Sequence, residues 1–286
     1  MNLLDRLKTH AVRLSGLTSI YRHTLPVRIA HWINVVCVAV MLMSGLQIFN
    51  AHSALYWGKS SDFEHPLLSM TAQPKTDGTL IGITRIGGWP FDTTGVLGAS
   101  RENGVMVERG FPSWATLPTQ RWLAKGRLIH FLVAWFFVVN GLGFCLYAVF
   151  SRHLVRDLLP TPKDLGAIPH EIVSHARLQF PKGEASKHYN ALQKIAYFAV
   201  IFIVGPLIVL TGLTMSPTMD AAFHPLLWVF DGRQSARTIH FLCASALLLF
   251  FAVHIIMVLL SGPLNNLRAI ITGRYAIQPE KTDDRP

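Results

Sequence analysis

Four stretches of the chain are apolar and lack Asp, Glu, Lys and Arg, and polar segments separate them. A helix rises about 1.5 Å per residue, so each stretch is long enough to cross a hydrocarbon core of about 30 Å. The pattern predicts an all-α membrane protein, a bundle of four transmembrane helices (spans 1 to 4). The spans cover residues 29–49, 128–150, 195–215 and 238–261.

The polar segments predict how the chain is oriented. Lys and Arg outnumber Asp and Glu in residues 1–28 and 151–194, which places these segments and the tail 262–286 in the cytoplasm. Residues 50–127 and 216–237 are then periplasmic loops. The first 25 residues include Asp5, Arg6, Lys8 and Arg13 and have no central apolar block, so we predict no cleaved signal peptide.

The long loop 50–127 is rich in glycine and proline, and we expect it to be ordered but mostly irregular. Loops of this length are usually functional. Its aromatic residues either lie at the lipid headgroups or, with loop 216–236, form a docking surface. They are Tyr56, Trp57, Trp89, Phe91, Phe111, Trp114 and Trp122.

Composition excludes two classes of protein. The chain is 51% apolar and 15% charged, whereas soluble domains are about 25% charged. Its net charge of +10 is spread over segments between the spans. This distribution indicates a membrane surface as the partner and no nucleic acid. The cysteines Cys37, Cys145 and Cys243 lie in spans, and no Cys-x-x-Cys-His motif for covalent haem is present.

Histidines inside the spans are the candidate chemistry, because ionisable side chains in hydrocarbon are costly and usually functional. His240 and His254 are fourteen residues apart in span 4. At 100° per residue they lie within about 40° of one helix face and about 21 Å apart along the axis. With the predicted orientation, His31 is at the inner depth with His254, and His130 is at the outer depth with His240.

Two histidines from different helices at one depth suit bis-imidazole ligation of a non-covalent haem. Arg28, Arg127 and Arg237 each precede a candidate ligand by three residues, where they could pair with haem propionates or simply flank the spans. Gly45 and Gly141 lie near the ligand faces and would let a macrocycle approach the backbone, although small residues are also common at helix contacts.

Other uses of the four histidines fit the sequence less well. Any one of them could hydrogen-bond to a neighbouring helix. Zinc or copper needs ligands within about 2 Å of one ion, which pairs at opposite depths cannot supply. The hypothesis that the histidines form a proton relay is less favoured, because the spans contain no Asp or Glu.

These residues resemble the bacterial di-haem cytochrome b561 and nickel–iron hydrogenase b-type cytochrome superfamily, which includes formate dehydrogenase gamma subunits and thiosulfate-reductase-type cytochrome b subunits. The resemblance covers all four spans. It rests on Arg28-Ile-Ala-His31-Trp32 with Ser44-Gly45, on His130, on His188-Tyr-Asn190-Ala-Leu-Gln193-Lys194, and on His240 with His254.

The resemblance implies one cytochrome b domain over residues 1–286 with two haem b groups, which passes electrons between the quinone pool and a partner subunit. It assigns Asn190 and Gln193, with the ligand His254, to a quinone site beside the inner haem. Amide groups there could bind a quinone carbonyl between Tyr189 and Tyr197. The alternative for Asn190 is capping of span 3.

The leading hypothesis is a multi-pass protein of the bacterial inner membrane that serves a periplasmic oxidoreductase. A molybdopterin-type partner is favoured by family analogy, and a hydrogenase or formate dehydrogenase is the other option. The first alternative is a stand-alone cytochrome b561 that oxidises a small periplasmic reductant or superoxide. The second is a non-haem transporter or membrane anchor.

Overall fold

The computed structural model describes residues 18–177 and 189–277. The charged positions Asp5 to Arg13, His188 of the family motif and the end of the tail lie outside these residues. Within the described part, four helices are long and apolar enough to cross a membrane, as predicted. They are α1 (Leu25–Phe49), α2 (Leu123–Phe150), α4 (Ala191–Met215, with a π-helical turn at Val200–Val204) and α7 (Arg233–Leu260).

Each of these helices begins four or five residues before the predicted span. Hydropathy marks only the apolar middle of a helix, whereas the backbone continues through polar residues with good helix propensity. Helix α1 begins at Leu25-Pro26, and proline is favoured in a first turn because its missing N–H has no partner there. Arg28, Arg127 and Arg237 are therefore inside helices.

Contacts within the chain define two compact units, which we describe separately. The first unit comprises Met1–His31, Gly143–Ile201 and Leu249–Pro286; the second comprises Trp32–Leu142 and Phe202–Leu248. The long helices contribute to both units.

The described part of the first unit contains a short antiparallel sheet and two amphipathic helices. Strand β1 (Thr18–Tyr21) pairs with β8 (Arg274–Ile277), with Thr18 opposite Ile277. The helices are α3 (Pro162–Ala176) and α8 (Pro263–Thr272).

Thr161 and Asp164 form a reciprocal cap at the start of α3. The hydrogen bonds from Thr161, followed by the interaction with Lys194, lower the pKa of Asp164 to about 2. Lys194 Nζ lies 3.1 Å from Asp164 Oδ2, which fixes the start of α4 against α3.

The second unit corrects the all-α prediction in one respect, because six short strands lie within the loop 50–127. A four-stranded antiparallel sheet has the order β2-β3-β4-β5, and β6 pairs with β7. The strands are β2 (Ala54–Leu55), β3 (Leu68–Pro74), β4 (Leu80–Ile86), β5 (Trp89–Asp92), β6 (Ala99–Glu102) and β7 (Val105–Glu108). The short helices α5 (Pro217–Ala222) and α6 (Pro225–Val229) complete the unit.

The glycines that suggested irregular structure serve this sheet. Gly87 and Gly88 have φ of 55° and 90° and form the two-residue turn between β4 and β5. Such a turn needs positive φ at both positions. A Cβ at Gly82 would lie 2.1 Å from the carbonyl oxygen of Leu97, so only glycine allows these backbones to approach.

A small hydrophobic core joins the strands to the helices in the second unit. Phe49, Leu55 and Met70 are buried together, and Phe241 of α7 packs against them. Beside this core, the buried guanidinium of Arg109 donates hydrogen bonds to Gln47 Oε1 at 2.9 Å and Thr116 Oγ1 at 2.7 Å. The strands are therefore anchored to α1 and α7 close to the histidines of the second unit.

Candidate functional site

His130 of α2 and His240 of α7 form a pair within the second unit. Their ring centroids are 6.3 Å apart, with an interplanar angle of 60°. Each ring uses Nδ1 for a hydrogen bond to a backbone carbonyl, His130 to Met41 at 3.1 Å and His240 to Ile208 at 3.0 Å. Since a carbonyl only accepts, Nδ1 carries the proton in both rings. Nε2 is then left with a lone pair, the state in which neutral imidazole binds a metal.

Two hydroxyl groups support these rings in equivalent ways. Ser44 Oγ lies 3.1 Å from His130 Nδ1, and Thr211 Oγ1 lies 3.2 Å from His240 Nδ1. Both hydroxyls are fully buried and also bond to the preceding turn of their own helix. The arrangement holds each imidazole in one orientation.

A glycine follows each hydroxyl residue and faces the same imidazole. A Cβ on Gly45 would lie 3.4 Å from His130 Cε1, and a Cβ on Gly212 would lie 3.4 Å from His240 Cε1. Sequence analysis selected Gly45 but missed Thr211 and Gly212. The available signal was the tripeptide Ser/Thr-Gly-Leu, which occurs within two of the predicted spans, at 44–46 and at 211–213.

The second histidine pair is His31 of α1 and His254 of α7, within the first unit. Their ring centroids are 6.5 Å apart at an interplanar angle of 56°. The imidazole of His254 stacks on Phe250, with centroids 5.9 Å apart and planes at 19°. The aromatic ring thus limits the orientations that His254 can adopt.

Both pairs fit a haem iron bound on two sides. A metal–imidazole bond is about 2 Å, so two such bonds plus about 1 Å from each nitrogen to its ring centre give centroids about 6 Å apart.

In the first unit, three buried nitrogen atoms have no hydrogen-bond partner among the described residues, and they suit an acidic group such as a propionate. They are Arg22 Nε, His23 Nδ1 and Arg28 Nε. Within the described chain, no group of three or more His, Cys, Asp or Glu is placed to hold a metal ion.

The three arginines that were predicted to bind propionates contact other residues of the protein. Arg28 donates a hydrogen bond to the carbonyl of Ile271, and Arg237 donates one to the carbonyl of His52. Arg127 lies over the ring of Phe131, 5.7 Å from its centroid. A Cβ on Gly141 would meet nothing within 4 Å. Roles of these four residues toward haem remain predictions.

Asn190 and Gln193 lie together at the start of α4, where they form a capping box. Asn190 Oδ1 accepts from Gln193 N at 2.8 Å, and Gln193 Oε1 accepts from Asn190 N at 3.2 Å. The capping interaction considered for Asn190 is therefore present. Asn190 Nδ2 lies 3.3 Å from His175 Nε2, a neighbour that sequence analysis missed. Tyr189 and Tyr197 pack edge to face beside this cap, 5.3 Å apart.

Two known proteins are similar to about half of this chain. The chain is 35% identical over 140 residues to a putative protein-methionine-sulfoxide reductase subunit YedZ1 of Azospira oryzae. The aligned segment covers 49% of this chain and 67% of that protein. It is 25% identical over 139 residues to a probable Ni/Fe-hydrogenase B-type cytochrome subunit of Cupriavidus necator, covering 45% and 57% respectively. The chain thus spans about two thirds of the first relative and little more than half of the second. No solved structure matches.

The family model described as prokaryotic cytochrome b561 matches residues 22–273, which include the four apolar helices and both histidine pairs. The resemblance seen in the sequence is thereby confirmed. The chain belongs to the prokaryotic cytochrome b561 family and is a membrane-embedded b-type cytochrome with a role in electron transfer.

Proposed function

We propose that the protein binds two haem b groups and transfers electrons between the quinone pool and a periplasmic oxidoreductase. His31 and His254 would hold one haem, and His130 and His240 the other. The observation that carries this proposal is the presence of two imidazole pairs with centroids 6.5 and 6.3 Å apart. The charge pattern supports an inner-membrane location, with both termini and the His31–His254 site toward the cytoplasm.

When bound, haem iron supplies the reversible one-electron chemistry. The chain's own residues bind and orient it. The Nδ1 bonds to Met41 and Ile208 fix the tautomer of His130 and His240 and increase the basicity of Nε2. Arg22 and Arg28 supply positive charge near the other pair.

The proposed quinone site is at Asn190 and Gln193. The Tyr189–Tyr197 pair supports it, because it offers an aromatic wall beside polar amide groups. Further contacts lead toward the haem ligand, since Tyr197 packs on Phe250 and Phe250 stacks on His254. A quinone in this place would therefore be connected to the haem site by aromatic side chains.

Replacing both Asn190 and Gln193 by Ala should slow haem reduction by quinol at least tenfold while both haems stay bound. The amide groups that would hold the quinone ring are lost, as stopped-flow absorbance would show. Because the change also removes a helix cap worth about 1 kcal/mol, Thr161→Ala serves as the control. It removes the equivalent cap of α3 and should leave the rate unchanged. Equal rates in the double variant and the wild type would contradict the quinone assignment.

A partner subunit is supported by the names of the two relatives, each of which describes a subunit. We propose that the partner is a molybdopterin-type oxidoreductase, with a hydrogenase or a formate dehydrogenase as the other candidates. Strand β5 suits docking because it lies at the edge of its sheet and its four residues are exposed. Trp89 is 75% exposed and Phe91 is 51% exposed, and exposed aromatic residues are typical of interfaces.

Replacing Trp89 and Phe91 by Ala should abolish co-purification of the partner, since two exposed aromatic contacts are removed from the edge strand. Trp122→Ala is the matched control. This residue is also exposed, but it directly precedes α2, and Lys125 of that helix lies over its ring, as expected at lipid headgroups. Haem content should be unchanged in both variants. A stable complex of the double variant would refute the docking role of β5.

One observation favours the stand-alone alternative. A cleft of about 640 Å³ opens in the second unit, lined by His52, Tyr56, Arg85 and Arg121 among others. It lies next to the start of α7, because Thr238 Oγ1 donates to the carbonyl of Tyr56 at 2.6 Å. A chain that purifies without a partner and is reduced directly by superoxide would support this second function.

A further inference from the structure

A partly buried histidine–aspartate pair in the first unit has no part in the haem or quinone sites described above. His153 Nδ1 lies 2.7 Å from Asp157 Oδ2, and the two side chains are only 12% and 23% exposed. The pair lies around the π-helical turn Leu154–Leu158, just after α2. A histidine bonded to a carboxylate is a common proton acceptor and donor near neutral pH.

The pair lies beside the segment that carries the proposed quinone site. The π-helical turn Leu154–Leu158, which contains Asp157, packs against the first part of α4, which begins two residues after Tyr189. Burial, followed by Tyr197 and the negative charge of Asp157, raises the pKa of the Tyr189 phenol. Tyr189 directly precedes Asn190 and packs on Tyr197. The phenol therefore stays protonated, and its hydroxyl can both accept and donate a hydrogen bond.

We propose that His153 and Asp157 form the proton-transfer site of the quinone reaction, a proposal that rests on the quinone site proposed above. Oxidation of a quinol to a quinone breaks two O–H bonds and releases two electrons and two protons. The chemistry that a bound haem b would supply is one-electron transfer, so the protons need a separate acceptor in the chain. His153 takes up one proton with each electron, Asp157 stabilises the resulting imidazolium, and the proton passes to water before the next is released. In quinone reduction the same steps run backwards.

Three other titratable or charged groups lie near the pair: His23, Tyr147 and Arg156. His23, whose pKa is lowered to about 4 by burial and by the charges of Arg22 and its neighbours, interacts with His153 and is neutral. Tyr147 packs on His153, with ring centroids 6.1 Å apart. Arg156 Nε lies 3.2 Å from Asp157 Oδ2 and is 74% exposed, so the carboxylate is next to water.

The test measures haem reduction by a short-chain quinol in the haem-loaded, full-length protein, between about pH 5.5 and 8.5, where imidazole titrates. Asp157→Asn and His153→Gln should each slow the reaction about 100-fold, the lower end of what proton transfer by a placed side chain contributes. Both should also lose the pH dependence of the wild type. Asp157→Glu should restore most of the rate. His65→Gln, in the exposed pair that His65 forms with Asp62, is the matched control and should react like the wild type.

A second measurement separates proton transfer from structural damage. Binding of the oxidised quinone, followed by quenching of tryptophan fluorescence, should be unchanged in Asp157→Asn and His153→Gln. Variants that keep the wild-type rate and pH profile, or that lose quinone binding, would overturn the proton-transfer site and leave the quinone site standing. A wild-type protein that quinol does not reduce would instead refute the quinone site, and the proton-transfer proposal with it.

Discussion

His130→Ala is expected to yield a protein with half the haem of the wild type. The substitution removes one imidazole of the pair with His240 and leaves His31 and His254 intact, because these lie in the other unit. Bis-imidazole haem needs both axial ligands to be retained firmly. Haem per polypeptide after extraction, together with the reduced-minus-oxidised spectrum, measures the loss.

Two further variants complete this experiment. His31→Ala should lose the other haem, and His170→Ala, which changes an exposed histidine of α3, should lose none. Full haem retention in His130→Ala would show that the pairs do not bind as proposed. So would a spectrum in which His31→Ala and His130→Ala lose the same haem.

Gly45→Val should remove the same haem as His130→Ala without removing any ligand. A Cβ at this position would already be in contact with the ring, 3.4 Å from His130 Cε1, so we expect the two additional methyl groups of valine to displace the imidazole. Gly212→Val should act in the same way through His240. Close packing does not absorb such added volume without displacing a neighbour.

Gly166→Val is the control for these valine variants, since a Cβ at Gly166 of α3 meets nothing within 4 Å. It should retain both haems. Retention of both haems in Gly45→Val, with a spectrum identical to that of the wild type, would show that this glycine does not define the site.

The sequence was sufficient for the helices and for the histidines that they bring together. A span is a long uninterrupted apolar run, and the spacing of His240 and His254 on one helix follows from helical geometry alone. The helix starts could not be predicted as well as the ends, because α1, α2, α4 and α7 begin four or five residues before the apolar segment, among polar residues. At α4 the capping residue Asn190 was the signal for the start.

The strands of the loop 50–127 were not predicted because they are short. Some of its glycines lie in tight turns or where two backbones approach closely, as Gly87 and Gly82 do, and do not indicate irregular structure. Gly87-Gly88 between Leu80–Ile86 and Trp89–Asp92 was the hairpin signal that could have been recognised. The support of His130 and His240 by Ser44 and Thr211 was not predictable from helix periodicity. It depends on which turn of a neighbouring helix faces each ring.

The central claim is that each histidine pair binds one haem b. The most direct test is the haem content of the purified wild-type chain, measured by the pyridine haemochrome spectrum and by acid–acetone extraction. The account predicts two extractable b-type haems for each polypeptide. One haem, none, or a haem that stays attached to the protein after extraction would contradict it.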